Sequence, residues 1–228
     1  MPVEKSILTE LASGQFEQKV LPWKLIYYGI EHIIGSLLFR RLPPQSSRLL
    51  NLGCGSHCFS GWINADIYAF KRKWREPKFR PNWMLDISRP WRCPNNHWAG
   101  IFSDHALDAL TYSQAVFALQ ESIRTLQPGG WFRISLSCAQ KYVHAYISEC
   151  HLAFFKQFPS SVVALSFLTQ MNHHKSIWDQ QLIMSVLTEI GFINVRAVAF
   201  REGSDLRLLM DDPGRCDESM YVEAQKSV

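Results

Sequence analysis

Three short stretches of the chain carry residues that do chemistry only in company. Gly53-Cys54-Gly55 follows the apolar run Arg48-Leu49-Leu50-Asn51-Leu52. Two glycines so spaced let a backbone bend sharply and approach a ligand where a Cβ would collide. Asp66 stands near the end of a second short run, Trp62 to Ile67, and Asp86 near the end of a third, Asn82 to Ile87. A carboxylate at a strand end can accept hydrogen bonds from both hydroxyls of a ribose, and a second can reach an adenine amino group. A glycine turn with two strand-end acids therefore describes a nucleoside pocket. A pyrophosphate cradle would want Gly-x-Gly-x-x-Gly running into a helix, whereas His57 and Cys58 interrupt that pattern here. Only residues 56–61 separate Gly55 from Trp62, too few for a crossover helix. The residues thus favour S-adenosylmethionine over a dinucleotide.

The elements that must position these residues alternate. Arg48 to Leu52, Trp62 to Ile67 and Asn82 to Ile87 read as strands, Ile101-Phe102-Ser103 as a weaker fourth and Trp131 to Ser137 as a fifth. Val116, Leu119, Ile123 and Leu126 share one face of a helix from about Ser113 to Leu126, stopped by Gln127-Pro128-Gly129-Gly130. A helix is expected from Ala139 to about Phe155, and another over Trp178 to Ile190 with Gly191 as its stop. Strands follow at Ile193 to Phe200 and Ser219 to Ala224, and Ser160 to Asn172 yields no assignment. Such alternation is the pattern of an α/β fold, a mainly parallel sheet with helices on both faces. Ahead of it, Leu25, Ile26, Ile30, Ile33, Ile34 and Leu37 recur at helical spacing, so residues 1–45 are read as an N-terminal segment with an amphipathic helix from Trp23 to Phe39. That helix either packs on the sheet or serves as a lid or peripheral membrane contact, since Trp23, Tyr27 and Tyr28 accompany basic ends.

The totals exclude several classes. A chain of 228 residues with 47% hydrophobic and 19% charged residues suits one globular domain, 46–228. The 24 Lys and Arg exceed the 20 Asp and Glu by only +4, which demands no nucleic-acid partner. Six cysteines, at 54, 58, 93, 138, 150 and 216, include no Cys-x-x-Cys pair. That argues against zinc and a disulfide scaffold and for reduced thiols in a cytoplasm. Glu4 and Glu10 break the order of a secretory signal, and Leu25 to Phe39 is too short, and too polar at Glu31 and His32, to span a bilayer. Lys71 to Arg80 concentrates basic and aromatic residues, read as a solvated loop or a grip for an anionic group.

Leu49-Leu50-Asn51-Leu52-Gly53-Cys54-Gly55 followed by Gly61-Trp62-Ile63-Asn64-Ala65-Asp66 resembles the opening of a bacterial family of S-adenosylmethionine-dependent methyltransferases related to the methyltransferase type 11 group. Leu85-Asp86-Ile87, Phe102 to Asp108, Leu119 to Ile134 with its Leu-x-Pro-Gly-Gly turn, Gly191 to Val195, Arg201 to Asp205 and Glu218 to Ala224 also match, so the resemblance covers about Leu49 to Lys226. It implies a Rossmann-like class I fold with a seven-stranded sheet and S-adenosyl-L-methionine as cofactor. By position, Gly53, Cys54 and Gly55 would line the methionine portion, Asp66 the ribose, and Asp86 with Ile87 the adenine, with Asn51 and Ile67 also counted among the cofactor-binding residues. Ser103, Asp104 and His105 would face the methyl group. The implied acceptor is a small molecule, sugar or glycan.

Three positions depart from the family: Asp108-Ala109 stands where relatives commonly carry Glu-His, and Ala99 where they carry aspartate. The candidate bases are then His105 first, Asp108, His144, His173 and His174. No metal site is expected, since His173-His174 lacks the spacing of a helical metal pair. Two rival readings follow: a catalytically degenerate cofactor-binding scaffold, motivated by Ala109 and Ala99, and a nicotinamide oxidoreductase, disfavoured by the missing third glycine.

Overall fold

The computed structural model describes residues 42–43, 48–67, 81–148, 152–170 and 173–228. The expected N-terminal helix and the basic stretch Lys71 to Arg80 lie outside them. Seven strands form one sheet: β1 (Leu49–Leu52), β2 (Ile63–Asp66), β3 (Trp83–Met84), β4 (Trp98–Asp104), β5 (Leu126–Ser137), β6 (Ile193–Val198) and β7 (Ser219–Gln225), in the order β3-β2-β1-β4-β5-β7-β6. The first five are parallel, and β7 runs antiparallel to both neighbours. The helices are α1 (Tyr112–Thr125), α2 (Ala139–Ser148), α3 (Ala153–Lys156), α4 (Ser161–Gln170) and α5 (Gln180–Ile190). None among the described residues is long and apolar enough to cross a membrane.

Local chemistry sets the helix ends. Thr111 caps α1, its hydroxyl accepting from Gln114 N–H while the Gln114 side chain returns to Thr111 N–H. Asp179 caps α5 through Leu182 N–H at 2.7 Å, and Gly191, at φ +108°, ends it in the left-handed region. Trp178 therefore precedes the helix it was expected to begin, bridging instead to Cys138. The helix expected from Ala139 to Phe155 stops at Ser148, with the short α3 beyond. Leu126 leaves α1 straight into β5, so the Pro128-Gly129-Gly130 turn lies inside the strand, where the pairing shifts between Trp98 and Gly100. α4 escaped the sequence reading because Val162, Val163, Leu165, Phe167 and Leu168 make it apolar with little one-sided bias.

Side-chain alternation gives the sheet two unlike faces. Leu50, Leu52, Ile63, Ala65, Ile101, Phe132, Val222 and Ala224 form an apolar face, buried with Ala115, Ala118 and Leu119 of α1 and Ile183 and Leu187 of α5. In register across the other face runs Asn64, Asn51, Phe102, Arg133, Glu223 and Arg196. There Leu208 packs with Phe102 and Trp62, and Arg133 holds Asp211 through Nε (2.7 Å) and Nη2 (2.5 Å) while Nη1 donates to Glu202 O at 2.7 Å. The connection between β6 and β7 is thereby drawn over this face. A second apolar cluster, Tyr142, Ala145, Phe155, Phe158, Ala164 and Leu168, joins α2, α3 and α4 into a cap between β5 and α5.

Candidate functional site

β1 lies between β2 and β4, so the chain order reverses beside it, and open α/β sheets bind ligands in the crevice at such a point. The chain turns at once after Leu52, with Gly53 at φ +69° and Gly55 at +55°. Gly53 and Cys54 N–H both donate to Ala65 O (2.8 and 3.0 Å), and Gly55 N–H donates to Asp66 Oδ2 at 2.7 Å. The turn is thus fastened to the end of β2, and the carboxylate predicted from its strand-end position faces the second glycine. A Cβ on Gly53 would stand 2.3 Å from Ala106 Cβ. That glycine is required by the close approach of the segment after β4, a neighbour no spacing rule revealed.

Asn51 lies buried under the turn and commits its amide to His57 O (2.7 Å) and Asn64 Oδ1 (2.9 Å). Asn64 in turn holds Phe59, accepting from its N–H at 2.8 Å and donating to its carbonyl at 2.9 Å. The loop from Gly55 to Gly61 is therefore braced from below, and the sulfur of its Cys58 lies 3.8 Å from that of Cys54. Ile67 is half-buried. Asp86 closes a local turn, accepting from Ser88 N–H (3.0 Å) and Ser88 Oγ (2.6 Å), with Arg89 Nε 3.0 Å from its other oxygen. Leu85 N–H bonds Asp66 O at 3.0 Å, so Asp86 and the buried Ile87 follow directly on the end of β2.

β4 contributes two neighbouring polar groups to opposite faces. Ser103, level with Leu52, is fully buried and its Oγ has no hydrogen-bond partner among the described residues. Asp104 accepts from Ser135 Oγ. Left-handed backbone at two glycines, with carboxylates at the end of β2 and just after β3, forms a polar set suited to a hydroxyl-bearing ligand such as a nucleoside. Among the described residues no group of three or more His, Cys, Asp or Glu side chains is placed to hold a metal ion.

His105 and Asp108, the leading base candidates, lie elsewhere, in a buried polar cluster between the ends of β4, β5 and β7 and the cap. His105 takes a left-handed φ of +47°. Its Nδ1 is 3.3 Å from Asp108 Oδ2 and 3.2 Å from Ser137 Oγ, and its Nε2 is 2.7 Å from Ser219 Oγ. The order carboxylate, imidazole, hydroxyl is that of a nucleophile triad, but the side chains of His105 and Asp108 are 3% and 1% exposed and Ser219 is 1% exposed. The trio clasps β4 to β7. Burial, helped by the positive charge of Arg215, pushes His105 down to about 4, and burial pushes Asp108 up to about 6.

The same cluster holds residues the sequence reading missed. Tyr142 donates its hydroxyl to Glu218, which also receives Arg215 Nε at 2.7 Å, and burial followed by the Glu218 charge raises the Tyr142 pKa. Lys141 Nζ ties the cap to the Cys216 and Ser219 carbonyls at 2.9 and 2.7 Å. The only sequence hint was a run of polar residues, Cys216 to Ser219, directly before a buried strand. Of the other candidate bases, His144 is exposed on α2, His173 is exposed at φ +62°, and His174 Nδ1 lies 2.8 Å from Leu168 O. The structure thus brings Asn51, Gly53, Cys54, Gly55 and Asp66 together, while His105 and Asp108 are enclosed in the adjoining cluster that meets the turn through Ala106.

No family model and no curated protein matches the chain. Solved structures do. A SAM-dependent methyltransferase from Archaeoglobus fulgidus is similar at a TM-score of 0.53 and 16% identity, covering 96% of this chain and 99% of that one. A possible exported protein from Bordetella parapertussis is similar at a TM-score of 0.51 and 13% identity, covering 92% and 71%. At such identities the likeness is one of fold, and the fold is the Rossmann-like class I methyltransferase fold.

Proposed function

We propose that the chain is an S-adenosyl-L-methionine-dependent methyltransferase whose cofactor lies across the carboxyl ends of β1, β2 and β4. The observation that carries this reading is the turn at the switch point, where two left-handed glycines are tied to Ala65 and to the Asp66 carboxylate. Gly53, Cys54 and Gly55 would present backbone to the methionine portion, with Asn51 bracing them. Asp66 and Ile67 would hold the ribose, Asp86 and Ile87 the adenine, and Ser103 and Asp104 would stand nearest the methyl group. The cofactor supplies a methyl group already activated on a sulfonium, so the protein's own task is to align an acceptor and exclude water. Asp104, 17% exposed at its side chain, is the polar group at the end of β4 open to an acceptor, and the cap of α2 to α4 would cover the approach. We assign His105 and Asp108 as positioning residues in place of the expected base, because both are buried and hydrogen-bonded within the protein. The acceptor class proposed, on the family resemblance, is a small molecule, sugar or glycan.

A second reading, a cofactor-binding scaffold without turnover, is favoured by that burial together with Ala109 and Ala99. Calorimetric titration with S-adenosylmethionine and S-adenosylhomocysteine, with NADH as control, tests both. Binding of the sulfur nucleosides alone supports the site, and transfer of labelled methyl to any physiological acceptor removes the scaffold reading. Absence of binding overturns the methyltransferase proposal.

A further inference from the structure

We infer that Cys54 and Cys58 form a reversible disulfide, a redox-sensitive modification site within the turn that leaves β1. Its effect on ligand binding rests on the nucleoside reading of that turn; its formation does not. The sulfurs are 3.8 Å apart, so small side-chain rotations bring them to the bonding distance of about 2.05 Å. The chain between them is already folded back: His57 N–H donates to Cys54 O at 2.8 Å, and Asn51 holds His57 O at 2.7 Å. Cys54 is 6% exposed, whereas Cys58 is half-buried. An oxidant therefore meets Cys58 first, with a second thiol waiting behind it.

The hydrogen bond from Cys54 holds the Cys58 thiol below its ordinary range, against the opposing effects of burial and the Asp66 charge. A larger thiolate fraction favours attack by Cys58. Cys93 shows the contrast, since burial pushes its thiol up to about 12. Among the described residues no third side chain is placed to complete a metal set with the two thiols.

The oxidant is a low-molecular-weight disulfide. The Cys58 thiolate attacks one of its sulfurs, the small disulfide bond breaks, and the departing thiolate takes the proton shed by Cys58. The Cys54 sulfur, losing its own proton, then attacks the Cys58 sulfur of the mixed disulfide and expels the second small thiolate, which takes that proton. One disulfide is reduced to two thiols and the two cysteines are oxidised to one disulfide. Cys54 stands between the two glycines with its N–H on Ala65 O, so the bond would tie the backbone assigned to the cofactor to the loop that carries Cys58.

The test exposes the full chain to oxidised glutathione and maps the product. Trypsin releases Leu49 to Lys71, which contains Cys54 and Cys58 and no other cysteine. That peptide is expected lighter by two hydrogens and restored by dithiothreitol. A peptide that stays reduced, or stops at a glutathione adduct, overturns the inference. In parallel, S-adenosylhomocysteine affinity is measured on reduced protein, oxidised protein and Cys58→Ser. Oxidation should weaken wild-type binding by about tenfold, the loss of roughly one hydrogen bond, and leave Cys58→Ser unaffected. Equal affinity of mapped disulfide and reduced protein overturns the regulatory consequence. A reduced wild type that fails to bind overturns the methyltransferase reading while the peptide map still decides the disulfide.

Discussion

The glycine turn after β1 and the polar cluster around His105 occupy the same end of one sheet and are held in unlike ways. The turn is built mainly from backbone groups and short-range partners: Gly55 meets Asp66 eleven positions away, and Asn51 meets Asn64 thirteen away. The cluster joins side chains from distant parts of the chain, with 114 positions between His105 and Ser219 and 76 between Tyr142 and Glu218. The turn places the Asp66 carboxylate against left-handed glycine backbone at the switch point, where open α/β sheets bind ligands. The cluster satisfies itself, so its ionisable groups report burial and serve to lock β4, β7 and the cap together. Chemical reactivity of residue type alone would have ranked the two regions the other way.

The sharpest way to break this comparison is Gly53→Ala. The new Cβ would meet Ala106 at 2.3 Å on a backbone at φ +69°, and overpacking with left-handed strain should destabilise the fold by about 4 kcal/mol in urea denaturation. Adding Ala106→Gly should recover the collision share and leave the strain. Full stability of Gly53→Ala would show that the turn is not pressed against β4.

Next in size is a pH effect hidden by compensation. His105 has a folded value of about 4 against about 6.5 unfolded, so its contribution is whole above pH 6.5 and is lost as pH falls through 4. Asp108 is opposite, about 6 folded against 3.8 unfolded; its contribution is whole below pH 3.8 and is lost as pH rises through 6. The slopes oppose, and this pair should leave wild-type stability nearly flat across that window. Asp108→Asn removes one side and should lose about 3 kcal/mol more than wild type between pH 6.5 and 4. Parallel pH profiles for the two proteins would refute a neutral, buried His105.

Tyr142→Phe deletes the hydroxyl that Glu218 accepts from and should destabilise by about 2 kcal/mol, with S-adenosylhomocysteine affinity unchanged if the cluster is purely a lock. A loss of affinity without a loss of stability would move the cluster into the ligand site. The smallest effect is expected for Asp66→Asn, which keeps an oxygen for Gly55 N–H. Its stability should stay within about 0.5 kcal/mol of wild type, while S-adenosylhomocysteine affinity falls by about 1 kcal/mol. Unchanged affinity would move the ribose away from Asp66.

Much of the fold was readable because it rests on local patterns. Leu49 to Leu52 is a mostly apolar run of strand length, Ile63 to Asp66 and Ser219 to Gln225 alternate apolar with polar residues, and Asp179 with Gly191 punctuates α5 by cap chemistry that needs no tertiary partner. Errors arose where packing outweighed pattern. α4 shows little helical stripe because it sits in an aromatic cap with Phe154, Phe155 and Phe158 around it. β5 begins five residues early, at Leu126, because pairing with Trp98 overrides the turn residues Pro128 to Gly130.

The sequence by itself determined the alternation of elements, the glycine turn at the end of β1 and the carboxylate that would face it, since strand period, turn chemistry and residue type all act over a few positions. Only the tertiary structure decided that Gly53 is required by Ala106, that Asn51 braces the turn from beneath, and that His105 and Asp108 are enclosed with Ser219 and Ser137. The Asn51 brace spans only thirteen positions but needs β1 and β2 paired in register, the other contacts join segments dozens of residues apart, and burial, which sets whether an imidazole can work as a base, is a property of the packed chain and of no single stretch of it.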